Sequence, residues 1–128
     1  MSEQFKGVVP YLFYDDAAAA IDWYTKVFGF EERGRWADDS GKVMNAEMRV
    51  GETELWLDGG GRRKDNDERP VWVGIWVDDV DAMYAQVLAA GVDCEPPVHR
   101  EFGVTMLTID DGMGYLWGFI KRDQTPAD

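Results

Sequence analysis

The chain has 128 residues, 25 acidic against 13 basic, and a formal net charge of −12 at pH 7. Its length suits one domain of roughly 100–150 residues, and its acidity repels phosphate backbones and anionic lipid heads, which argues against nucleic acid or a membrane surface as partner. No apolar run approaches the roughly 18 residues of a membrane span, the N-terminus has no basic-then-apolar export signal, and the one cysteine, Cys94, can form no internal disulfide; together these lead us to expect a cytoplasmic setting.

In chain order, Gly7 to Tyr14 is β-branched and aromatic, and Asp15-Asp16 then precede a run of good helix formers that stops at Phe28-Gly29. This reads as strand, cap, helix and stop. Ala17, Ala20, Ile21, Tyr24, Val27 and Phe28 recur at helical spacing and predict one apolar face packed on a sheet. Three strand-like runs follow, Phe30 to Ala37, Lys42 to Val50 and Glu52 to Asp58, parted by turn residues. Gly59-Gly60-Gly61 and the charged stretch from Arg62 to Arg69 show no periodicity and read as a solvated linker, 59–69, whose basic cluster Arg62-Arg63-Lys64 is offset by acidic neighbours.

The same order then returns. Val71 to Val77 reads as a strand, Asp78-Asp79 as a cap, and Val80, Met83, Tyr84, Val87 and Leu88 as a helical face stopped at Gly91. Val92 to Cys94, Gly103 to Ile109 and Tyr115 to Ile120 follow as strands. Asp16 and Asp78, Gly29 and Gly91, Leu55 and Trp117, and Leu57 and Phe119 are each separated by 62 residues, so one offset relates cap, stop and final strand. The expected fold is therefore α+β: a single domain over 1–128 made of two βαβββ repeats, about 7–58 and 70–122, whose curved mixed sheets enclose a cleft. Each sheet has a helix on one face only, so the other face has to be covered by the opposite half or by a second copy, and a homodimer is the expected partner.

Several segments resemble the vicinal oxygen chelate superfamily, which includes glyoxalase I, extradiol dioxygenases and the bleomycin-resistance-type antibiotic-binding proteins. They are the helix from Ala19 to Phe30 with its Trp23-Tyr24 and Gly29-Phe30, the run Val43-Met44-Asn45-Ala46-Glu47-Met48-Arg49-Val50-Gly51, the pair Val77-Asp78-Asp79-Val80-Asp81, and Asp111-Gly112-Met113-Gly114-Tyr115-Leu116-Trp117. In the metal-dependent relatives, ligands come from the first and last strands of the two units. The resemblance implies that those places are filled here by Val9, Trp72, Trp56 and Gly118. None of the four supplies an imidazole, carboxylate or thiolate, so no metal and no cofactor is expected. Asn45 stands where the family's comparable segment has a histidine. The sole histidine, His99, lies outside the ligand places, and Cys94 reads as a small structural residue.

Alternation along a strand puts Trp72, Gly74 and Trp76 on the face where such relatives present a ligand. Trp56 occupies another ligand place, Tyr11 shares the face of Val9, and Gly74 and Gly118 leave room. Indoles in place of ligands form a stacking surface for a planar guest. In the competing reading Trp56, Trp72 and Trp76 are simply core. Trp23 and Trp117 are assigned to structure. Likeness to the antibiotic-binding relatives adds Trp36 and Phe102 to a groove lined with aromatics, with Glu47 as either a polar contact or a solvated strand residue. The ligand-binding set is thus Tyr11, Trp36, Asn45, Glu47, Trp56, Trp72, Trp76 and Phe102, with no catalytic residue assigned. The expected function is sequestration of an aromatic, partly cationic antibiotic or natural product, conferring resistance. The alternative is a metal-independent isomerase or lyase acting on a polyketide-like substrate through Glu47, Glu54 or Tyr11.

Overall fold

The structure, a computed structural model, describes Gln4 and residues 6–61 and 71–123. Pro70 and most of the expected linker, 62–69 with its basic cluster, lie outside the described residues. The chain divides into two compact units, Met1–Lys64 and Asp65–Asp128, each a βαβββ repeat with a mixed four-stranded sheet.

In the first unit, β1 (Tyr11–Phe13) leads to α1 (Ala17–Trp23), which runs on into a π-helical turn (Tyr24–Phe28). The strands β2 (Glu31–Ala37), β3 (Val43–Val50) and β4 (Thr53–Asp58) follow, and the sheet order is β1-β4-β3-β2 with β1 parallel to β4. Asp16 starts the helix because its extended backbone lets the carboxylate accept the otherwise orphaned Ala19 N–H at 3.0 Å. Gly29 ends it at φ 78°, a conformation that costs an L side chain energy and glycine nothing. The apolar stripe Ala17, Ala20, Ile21, Tyr24, Val27 and Phe28 is buried, as are Leu12, Met48, Leu55 and Leu57 on the strands. The buried Tyr14 and Tyr24 hydroxyls lie 2.6 Å apart, which satisfies both inside this core.

The second unit repeats the plan with β5 (Val71–Trp76), α2 (Val80–Ala89), β6 (Val98–Arg100), β7 (Val104–Asp110) and β8 (Tyr115–Arg122), in sheet order β5-β8-β7-β6 with β5 parallel to β8. Val80 and Val87 of the helix are buried, together with Leu107, Ile109, Trp117 and Phe119. Both structural tryptophans are where expected: Trp117 is buried, and Trp23 packs edge-on against Phe28 with ring centroids 5.1 Å apart.

Five expectations are corrected. The cap of α2 is Asp79, not Asp78: its carboxylate accepts from Ala82 N at 2.9 Å, because this register buries Val80. Leu88 is largely exposed and does not belong to the packed face. Val92 to Cys94 is no strand; the sixth strand is Val98–Arg100, held by pairing to β7. The first strand is confined to Tyr11–Phe13, the stretch that pairs with β4. Gly59-Gly60-Gly61 is fastened to the first unit: Gly59 N donates to Met44 O, Gly60 N to Asp58 Oδ1 and Gly61 N to Tyr14 O. A Cβ at Gly59 would sit 2.0 Å from Val43 O, so only glycine fits there.

The single 62-residue offset also fails ahead of the helices. The caps Asp16 and Asp79 are 63 residues apart, whereas the stops Gly29 and Gly91 are 62 apart. The first helix therefore holds one residue more than the second, and that residue is taken up by the wider π-helical turn Tyr24–Phe28.

Candidate functional site

The register of the first sheet aligns its open face in two rows. Tyr11, Trp56, Glu47 and Gly34 lie across β1, β4, β3 and β2; Phe13, Asp58, Asn45 and Trp36 form the next row. A register shift in β2 between Glu32 and Gly34 brings Gly34 opposite Glu47. The indole of Trp36 folds back over Gly34, where an added Cβ would come within 3.1 Å of Trp36 Cη2. On this face Tyr11, Trp36, Asn45, Ala46, Glu47 and Trp56 line an open cavity of about 300 Å³. That volume matches the lower end of small-molecule sites, roughly 300–1,000 Å³.

Five of the eight sequence-expected residues meet in this one cavity: Tyr11, Trp36, Asn45, Glu47 and Trp56. Tyr11 leans across β4, stacking on Phe13 at 5.7 Å and meeting Trp56 edge-on at 5.8 Å, and its hydroxyl donates to Asn45 Oδ1 at 2.7 Å. A longer contact of 3.4 Å reaches Asp58 Oδ2. Desolvation raises the Tyr11 phenol above its ordinary value, and the nearby Asp58 carboxylate adds to the shift. The group therefore stays protonated, a donor and not a base, through neutral and mildly alkaline pH. Trp56 Nε1 donates to Glu54 Oε1 at 3.1 Å, which ties Glu54 to the indole. Sequence reasoning missed Asp58 and Ala46. Asp58 has the strand parity of Trp56, a signal that would have found it; Ala46 turns its side chain into the core.

Trp72, Trp76 and Phe102 lie in the second unit, outside that cavity. On β5 exposure alternates, so Trp72, Gly74 and Trp76 share the open face, with Trp72 50% and Trp76 61% exposed. At these exposures neither is core. Gly118 makes room for Trp72, since a Cβ there would meet Met106 Sδ at 3.3 Å and the Trp72 ring at 3.7 Å. The Arg122 guanidinium sits 4.8 Å from the Trp76 ring centroid, a cation–π contact. Phe102, 71% exposed, is in the turn before β7. His99 is on edge strand β6 with Nδ1 2.7 Å from Asp123 Oδ2. Burial, followed by Asp93 and Glu95, pushes the Cys94 thiol up, which suits an unreactive thiol.

A model of the Glyoxalase/Bleomycin resistance protein/Dioxygenase superfamily matches residues 7–119. The chain belongs to this superfamily. An uncharacterized protein of Mycobacterium tuberculosis is 30% identical over 118 residues, covering 84% of this chain and 69% of the relative. Among solved structures, TioX from Micromonospora sp. ML1 superposes with a TM-score of 0.77 at 27% identity, covering 92% of this chain and 99% of that one. The bleomycin-binding protein from bleomycin-producing Streptomyces verticillus, solved with copper(II)-bleomycin, shares the fold with a TM-score of 0.66 at 21% identity, covering 97% of this chain and all of that one.

Metal chemistry occurs in this superfamily, and the donor set here does not fit it. The implied ligand places hold the hydrocarbon of Val9, the indoles of Trp56 and Trp72 and the bare backbone of Gly118. Among the described residues no group of three or more His, Cys, Asp or Glu side chains converges to hold an ion. Purified protein is accordingly expected to carry no stoichiometric transition metal and to keep its melting temperature in a chelator. Elemental analysis giving close to one equivalent, with stability lost on its removal, would overturn that expectation.

Proposed function

We propose that this protein binds a planar aromatic small molecule and sequesters it without chemical change, protecting a cell from an antibiotic or related natural product. The observation that carries this reading is the cavity of the first unit, in which Trp36, Trp56 and Tyr11 surround Asn45 and Glu47. Large indoles exposed on a sheet face cost solvation unless something covers them, and a flat guest covers them while stacking. The cavity lining contains two carboxylate or amide groups and no lysine or arginine, which favours a guest that is neutral or cationic. The superfamily relative that binds bleomycin supports the class of function. We further propose that the working form is a cytoplasmic homodimer whose subunits cover open sheet faces that still present Trp72, Trp76 and Phe102, and that 1–128 acts as one domain.

The test is incubation with planar aromatic compounds, monitored by tryptophan fluorescence and followed by mass spectrometry of the recovered guest. Quenching with the guest recovered unchanged is expected. Conversion to a new product would instead favour an isomerase or lyase, in which Glu47 is the available base, since Tyr11 stays protonated and Glu54 is engaged by Trp56.

A further inference from the structure

The polar floor of the cavity has a direction. An asparagine amide presents a carbonyl acceptor on one side and an NH2 donor on the other, and in an open pocket it can turn either way. Here it cannot turn freely, because the Tyr11 hydroxyl donates to Asn45 Oδ1 at 2.7 Å. The hydroxyl has one proton, and Asn45 Oδ1 at 2.7 Å takes it in preference to Asp58 Oδ2 at 3.4 Å, so the oxygen is held at Tyr11 and Nδ2 is turned away from the phenol. Nδ2 carries no hydrogen bond among the described residues, and neither does the Glu47 carboxylate. Asn45 and Glu47 are two residues apart on β3 and so stand side by side on one face, roughly 7 Å apart along the strand. Trp36 lies beside Asn45 and Trp56 beside Glu47. Between two aromatic walls the cavity thus offers one fixed donor and, next to it, one acceptor.

Resting on the reading of this cavity as a binding site, we propose that Tyr11 is a positioning residue that locks the Asn45 amide, so that the site selects flat guests bearing a carbonyl acceptor beside an N–H donor, the pattern of an aromatic lactam or amide. The carbonyl takes the Asn45 N–H and the guest's N–H meets Glu47, while the ring system stacks on Trp36 and Trp56. A site built to hydrogen-bond a guest discriminates against one lacking the matching group, because its own polar atoms are then left unpaired. The Tyr11 phenol, kept protonated, maintains the lock through neutral and mildly alkaline pH.

The experiment compares two bicyclic probes by calorimetry: 2-quinolone, with adjacent C=O and N–H, and indole, with N–H alone. The wild-type protein is expected to bind 2-quinolone about tenfold more tightly than indole, the worth of one hydrogen bond. Tyr11→Phe keeps the ring and frees the amide, and Asn45→Asp replaces the donor by an acceptor; in both the ratio of the two affinities is expected to fall from about ten to about one. A cooperative thermal transition close to that of the wild type shows that each variant is folded. Equal affinity for the two probes in the wild type, or a preference that survives Tyr11→Phe, overturns the inference and leaves the aromatic site standing. Loss of both probes together in Tyr11→Phe would make the hydroxyl merely structural and likewise overturns it. Binding of neither probe up to millimolar concentration by the wild type overturns the site reading and the inference with it.

Discussion

Trp36→Ala is expected to weaken binding of a planar guest such as 2-quinolone by about thirtyfold, or about 2 kcal/mol, the usual cost of truncating a stacking aromatic at the centre of an interface. Its effect on unfolding should stay within about 0.5 kcal/mol, because the indole is 54% exposed and lies over Gly34 and not in the core. Titration and denaturation of the one variant separate the two roles. If affinity is unchanged and stability falls by several kcal/mol, Trp36 is a packing residue and the cavity loses one of its walls.

Asp111→Ala is expected to show the opposite pattern. Its buried carboxylate accepts from Trp117 Nε1 at 2.9 Å, Met113 N at 2.6 Å and Tyr115 N at 3.3 Å, fixing the turn between β7 and β8 and the largest buried side chain of the second unit together. Alanine leaves those donors without their acceptor in a place water reaches poorly, at a cost of about 3 kcal/mol. In a chain of this size that lowers the melting temperature by about 10 °C. The cavity of the first unit holds none of these residues, so the folded fraction should bind its guest with unchanged affinity. A variant that melts with the wild type would show that the indole and the turn are held by packing alone.

What was legible in the sequence follows from which signals are local. Parity along β5 put Trp72, Gly74 and Trp76 on one face because strand periodicity depends on nothing beyond the strand. Likewise, helix spacing from Ala17 to Phe28 gave the buried stripe. Val98-His99-Arg100, by contrast, has no strand-like apolar pattern; it is a strand because β7 offers it an edge, and the more apolar Val92 to Cys94 has no such partner. Asp78 and Asp79 are chemically the same cap, and only the helix face they set, with Val80 inward, decides between them. Five cavity residues could be named, but their meeting depends on the register shift that sets Gly34 opposite Glu47. Neither that shift nor the bond from Tyr11 to Asn45, across an intervening strand, leaves a mark in the order of residues.

The wide turn at Tyr24–Phe28 absorbs the difference in length between the two helices. Adding a residue to an ordinary α-helix swings everything downstream by about 100° and would pull the following strand out of its pairing. A π turn holds the surplus residue in a local loosening instead, and the last strands still stand in the 62-residue step of Gly29 and Gly91, Leu55 with Trp117 and Leu57 with Phe119. The two halves thus keep one plan, strand, helix and three strands, although their helices, counted from cap to stop, differ in length by one residue.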